Sequence, residues 1–205
     1  ARIAYVNGRY LPHRAAAVHI EDRGYQFADG VYEVVPVHHG RLIDEDLHLD
    51  RLEFSLGELS IAAPMERRAL QLVLREVLRR NGVARGILYL QVTRGVAPRD
   101  HKFPVAARPS LVITAKRLKP VPTKYLEEGV GVITLPDLRW KRCDIKTISL
   151  LPNVLGKQQA VEEGAYEAWQ IDPEGKVTEG TSTNAWIVTK DRKIITRPLN
   201  HEILP

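Results

Sequence analysis

RWKRCDIKTISLLPNVLGKQQ, residues 139–159, is the stretch from which the rest of the chain is read. Lys146 follows Asp144 and precedes a run that turns amphipathic, with Arg139, Lys141 and Arg142 just upstream. Neighbouring positive charge disfavours an ammonium and pushes the amine toward its neutral, nucleophilic form, which a lysine needs in order to condense with an aldehyde. The reading is a Schiff-base lysine, against the alternative of a solvated helix end whose aliphatic stem lies on apolar surface.

Composition narrows the class. Hydrophobic residues make up 44% and charged residues 27% of the 205, a globular rather than a disordered balance. The single cysteine, Cys143, excludes an intramolecular disulfide and suits a reducing cytoplasm. No apolar run approaches the roughly 20 residues of a membrane helix, and ARIAYVNGRY lacks the apolar centre of a signal peptide, so a soluble cytoplasmic protein is expected. The net charge of +5 comes from cations dispersed among 25 acids. That pattern argues against nucleic acid and for an anionic cofactor or a carboxylate substrate. No metal and no membrane contact is expected.

Upstream of the lysine, Asn7-Gly8 between Ile3–Val6 and Arg9–Leu11 predicts a hairpin. HIEDRGYQFADG, 19–30, reads as a loop that presents groups. Val31–His38 reads as a buried strand, followed by a short strand from Arg41, which suggests an antiparallel sheet. From Asp44, a plausible cap, Leu47, Leu52, Leu56 and Leu59 keep a helical spacing, and His48 and Arg51 share a face. A second helix starts at Pro64, carries Leu70, Val73, Leu74, Val77 and Leu78 on one stripe, and stops at Asn81-Gly82. Strands at 86–94 and 110–115 flank GVAPRDHKFPVAARP, in which Arg99 and His101 alternate and suit a carboxylate. KRLKPVPT, 116–123, is the linker candidate. Downstream come a strand at 130–135, the lysine segment, a helix at 151–163 with Pro152 in its first turn, and strands at 167–172 and 176–179. EGTSTNAWIV, 179–188, then places small polar residues in a turn that can cradle an oxyanion.

FADGVYEVV, LHLDRL, VTRGVAPRDHKFP, CDIKTISLLPNVLGKQQA and VTEGTSTNAW occur in this order across nearly the whole chain. Together they resemble the class IV aminotransferases, pyridoxal-phosphate enzymes of fold type IV, and within them the D-amino-acid (D-alanine) branch. The resemblance implies a two-domain α/β (α+β) fold: an N-terminal domain over 1–117, a linker at 118–122, and an incomplete C-terminal cofactor domain over 123–205. It is incomplete because relatives continue past NHEILP into a Gly-Ile-Thr segment. Pro152 stands where a small residue is expected.

The resemblance also implies roles. Lys146 would carry pyridoxal 5'-phosphate and move the α-proton, and Glu179 would face the pyridine nitrogen. Arg51 would pair with the phosphate, assisted by Thr181, Ser182 and Thr183. Tyr32, Arg99 and His101 would bind the substrate carboxylate, with His48 nearby. The expected activity is transfer of an amino group between a D-amino acid such as D-alanine and a 2-oxo acid such as 2-oxoglutarate or pyruvate. The arginine-histidine loop would come from the partner of a homodimer. The alternatives are an L-branched-chain aminotransferase or an aminodeoxychorismate lyase of the same fold, or a non-catalytic binding protein.

Overall fold

The computed structural model describes residues 2–205, and the chain divides into two compact units. One unit takes the chain as far as Lys119 together with Lys146–Ser149; the other comprises Pro120–Ile145 and Leu150–Pro205. Lys146 therefore groups with the first unit, although it lies in sequence among residues of the second.

The first unit is built on a six-stranded antiparallel sheet. β1 (Ile3–Val6) and β2 (Arg9–Pro12) form the expected hairpin, with Val6 opposite Arg9 across Asn7-Gly8. Both turn residues have positive φ, 45° and 91°, which the Asn-Gly pair accepts at little cost. A short helix α1 (Arg23–Phe27) stands where a plain loop is expected, because the Asp22 side chain accepts from Gly24 N at 2.9 Å and caps it. β3 (Gly30–His38) and β4 (Arg41–Leu42) follow, then the helices α2 (Glu45–Glu58) and α3 (Arg67–Asn81), and finally β5 (Arg85–Thr93) and β6 (Ser110–Arg117). The sheet order is β2-β1-β6-β5-β3-β4.

Period-two alternation sends Val31, Val35 and Val37 of β3, Leu88, Leu90 and Val92 of β5, and Leu111, Ile113 and Ala115 of β6 into the core. The helices cover this face, α2 on β3 and α3 on β6 and β1. The stripe of α3 buries Leu70, Leu74, Val77 and Leu78, and Gly82 ends the helix in the left-handed region at φ 55°. Its start lies three residues past the expected Pro64, at Arg67. In α2 two expectations fail. Asp44 stands at the N-cap position but is left-handed, with no capping bond from its side chain, and Leu47 is 68% exposed while Leu49 takes the core position. The apolar spacing of α2 is irregular, so the sequence does not distinguish its inner from its outer leucines.

The second unit contains α4 (Thr123–Glu127), β7 (Val132–Pro136), α5 (Leu151–Glu162), β8 (Glu167–Ile171) and β9 (Val177–Gly180). β7 and β8 are parallel, α5 packs on both, and β9 returns antiparallel to β8. Pro152 is tolerated in the first turn of α5, where its missing N–H has no helical partner to lose. A two-stranded ribbon, β10 (Trp186–Val188) and β11 (Ile194–Thr196), exposes all six of its positions. Among the described residues no helix is long and apolar enough to cross a membrane.

Candidate active site

Lys146–Ser149 runs beside the start of β3. Tyr32 N donates to Lys146 O at 3.0 Å, Ile148 N donates to Gly30 O at 3.1 Å, and Val31 and Thr147 form an antiparallel bridge. The backbone N of Lys146 donates to Ser55 Oγ on α2 at 3.2 Å. These bonds set the amine against β3, where Nζ lies 4.6 Å from the centroid of the Tyr32 ring. The ring face is the negative pole of the aromatic quadrupole and attracts an ammonium.

Glu33, which the sequence reading missed, lies next on the strand. Its side chain is fully buried and serves two neighbours on α2. Oε1 accepts from Arg51 Nε at 2.7 Å, Oε2 accepts from Arg51 Nη2 at 2.8 Å, and Oε2 also lies 2.8 Å from His48 Nδ1. Burial pushes the carboxyl up, but the bonds from Arg51 and His48 and the charges of Arg51 and Lys146 outweigh it and hold Glu33 below its ordinary value. Glu33 thus bonds His48 and Arg51 and feels the charge of Lys146. A signal for it existed. Alternation places residue 33 on the same strand face as Val31 and Val35, and a charge among valines on an inward face is out of place unless paired.

Arg99 and His101 form a second group in the same unit. Both lie against Phe27 of α1, the Arg99 guanidinium 4.5 Å and the His101 ring 5.4 Å from its centroid. Their loop is anchored from below by Arg23, 3% exposed, which donates to Asp100 O at 2.6 Å and to Asp29 Oδ2 at 2.7 Å. Asp29 also takes a two-point grip from Arg94, at 2.8 and 3.0 Å, and these bonds, working against burial, lower its pKa. Arg23, Asp29 and Arg94 were not singled out from sequence.

The second unit holds the other expected residues. Glu179, on β9, is 5% exposed; Oε2 accepts from Arg139 Nη1 and Oε1 from Asn184 Nδ2 at 2.9 Å. Burial raises its pKa more than Arg139 lowers it. Thr181, Ser182 and Thr183 each donate a hydroxyl to Glu167, the last two at 3.3 and 3.1 Å. Their hydroxyls therefore face a carboxylate and not, as expected, an open oxyanion cradle. The cationic cluster also differs from its sequence reading. Arg139 is paired with Asp137 and Glu179, and Arg142 with Asp144. Carboxylates in the same unit therefore answer both guanidiniums. In the first unit the Tyr32 ring and the charge of Glu33 are among the groups set against the Lys146 amine.

Residues 30–205 match the family described as amino-transferase class IV. The chain is 44% identical over 198 residues to the D-alanine aminotransferase of Bacillus licheniformis, covering 97% of this chain and 69% of that one. Among solved structures it superposes on the branched-chain amino acid aminotransferase of Escherichia coli with a TM-score of 0.89, at 19% identity, over 100% of this chain and 70% of that one. It also superposes on the PLP-bound form of a hypothetical aminotransferase from Mycobacterium tuberculosis, with a TM-score of 0.79 at 24% identity, over 99% and 73% of the two chains. The chain belongs to the class IV aminotransferases, enzymes that depend on pyridoxal phosphate. The first unit supplies an amine at Lys146 and a guanidinium at Arg51 and the second a buried carboxylate at Glu179, side-chain types that suit such a cofactor.

Proposed function

We propose that this enzyme transfers the amino group of a D-amino acid, D-alanine among them, to a 2-oxo acid such as 2-oxoglutarate or pyruvate. The observation that carries the reading is Lys146 folded onto β3 beside Tyr32 and Glu33, in a chain 44% identical to a D-alanine aminotransferase. Bound pyridoxal phosphate supplies the electron sink that lets nitrogen leave the α-carbon.

The remaining work belongs to the chain. Lys146 would hold the cofactor through Nζ and would carry the proton to and from the substrate α-carbon. Glu179 keeps the pyridine nitrogen protonated. Arg51 grips the phosphate, and the 181–183 turn adds its backbone amides while Glu167 holds its hydroxyls. Tyr32, Arg99 and His101 bind the α-carboxylate, with His48 beside them. A guanidinium fork matches the two carboxylate oxygens, and fixing them on that side leaves the α-hydrogen of the D-enantiomer toward the lysine. We place the enzyme in the cytoplasm as a homodimer whose 94–109 loop serves the partner protomer. The exposed Phe103 on that loop suits such a contact.

The test is spectroscopic and kinetic. The protein with pyridoxal phosphate should show a visible band that D-alanine bleaches and L-alanine does not, and Lys146→Ala should lose both band and turnover. Arg99→Ala should raise the KM for D-alanine about 10-fold or more, the value of one lost charge-assisted pair, and leave any L-leucine turnover unchanged. Turnover that survives in Lys146→Ala defeats the reading.

A further inference from the structure

We infer that Glu33 is a positioning residue for this chemistry: from the core face of β3 it fixes the Arg51 guanidinium and the His48 ring, and it supplies the negative charge beside Lys146. The inference rests on the function proposed above and deepens it.

Val31, Glu33, Val35 and Val37 point to the same side of β3 and are all buried, so residue 33 occupies a place where valine would pack. A buried ion pair is weak as a source of stability, and apolar residues of similar volume often replace one at no cost. A carboxylate kept in a row of valines, with both oxygens bonded, is more economically explained by what it holds.

What it holds is specific. Arg51 is gripped along its Nε and Nη2 edge at 2.7 and 2.8 Å, which fixes the plane of the guanidinium on α2. A fork with one edge clamped has little rotamer freedom to lose when an anion arrives. His48 Nδ1, at 2.8 Å from Oε2 and 3.4 Å from Arg51 Nη2, is fixed by the same carboxylate. Lys146 is the third cation that Glu33 feels. Among the charged and titratable groups near this amine are Tyr32 and Glu33 of β3, with His48 and Arg51 of α2 bonded to Glu33, and Tyr89 of β5 at 5.7 Å from Tyr32 between rings. Glu33 brings a carboxylate charge to Lys146, so removing that charge should lower the pH at which the amine becomes reactive.

The experiment uses the full chain and two probes, pyridoxal phosphate and pyridoxal, which lacks the phosphate. In each, the Lys146 amine condenses with the aldehyde with loss of water, and borohydride reduces the C=N bond to a stable secondary amine that mass spectrometry locates. Wild type, Glu33→Gln and Glu33→Asp are compared over a range of pH.

Glu33→Gln should weaken trapping of pyridoxal phosphate about 10-fold or more while leaving the affinity for pyridoxal within a factor of two, because only the first probe uses Arg51. Its midpoint pH for trapping should fall with both probes. Glu33→Asp keeps the charge and shortens the reach, so it should restore the midpoint but not the phosphate preference. If Glu33→Gln folds and matches wild type in both the probe ratio and the midpoint, Glu33 is a structural ion pair and the inference is wrong. If Glu33→Gln does not fold, an unchanged probe ratio in Glu33→Asp overturns it equally. Failure of wild type to be trapped at Lys146 by either probe instead overturns the function proposed above, and this inference with it.

Discussion

Cys143 is 9% exposed, and its Sγ donates to Trp140 O at 3.0 Å. Burial pushes the thiol up to about 11 despite the opposing pull of the Arg139 guanidinium. Only the thiolate is a nucleophile, so Cys143 should react with a thiol reagent at pH 8 at least ~10-fold more slowly than a free cysteine and become fully reactive in denaturant. Time-resolved labelling checks this, and rapid labelling of the native protein would contradict the burial. The sequence supplied the cysteine and its cationic neighbours but not their pairing. Read linearly, Arg139 and Arg142 look like a field acting on whatever lies next along the chain. In space they bond to Asp137, Glu179 and Asp144; Asp137 and Asp144 each lie two residues from their arginine, whereas Glu179, 40 residues from Arg139, is out of reach of any local reading.

At the scale of the element, α3 shows how far periodicity reaches. Leu74 is fully buried and Leu72, two residues away, is 61% exposed. Leu74→Ala should cost about 2–5 kcal/mol and Leu72→Ala no more than ~0.5 kcal/mol, compared by denaturant midpoints. Equal losses would mean that the helix does not present this face. The helix was legible because its apolar stripe is strong and Gly82 closes it. α2 was less legible. Leu47, Leu49, Leu52 and Leu56 cannot all face inward, and the sheet beneath decides among them. α1 was missed because five residues are too few to show a period, and a local cap decided it.

Over the whole molecule the buried carboxylates set the response to acid. Asp29, Glu33, Asp137 and Glu167 are each raised by burial but lowered further by their hydrogen bonds and cationic neighbours, so each ends below its ordinary value. A carboxyl depressed in the folded state contributes stability above its unfolded pKa, and that contribution is lost as pH falls through the folded one. Glu179 is raised and acts in the opposite sense, since it takes up its proton in the folded state first. Asp144, also buried, is lowered by its bond from Arg142, so the lowered groups outnumber the one raised and Tm should fall progressively as pH drops below about 4.5, more steeply in wild type than in Glu33→Gln. Circular dichroism melts at several pH values check the slope, and a Tm that rises on acidification would mean that these pairs are not formed.

The sequence by itself determined the order of the longer strands and helices, the Asn7-Gly8 hairpin, the α3 stripe and the ordered motifs of the class IV aminotransferases, because local φ/ψ preference, apolar period and spacing are properties of neighbours along the chain. Only the tertiary structure decided that Lys146 folds back onto β3, that Glu33 gathers Arg51 and His48, and that Glu167 holds the hydroxyls of residues 181–183. Those partners lie far apart in sequence, from His48 and Arg51, 15 and 18 residues from Glu33, to Lys146 and Ser55, 91 residues apart. A buried charge takes whichever counter-charge packing brings within about 3 Å, and no window along the chain spans that choice.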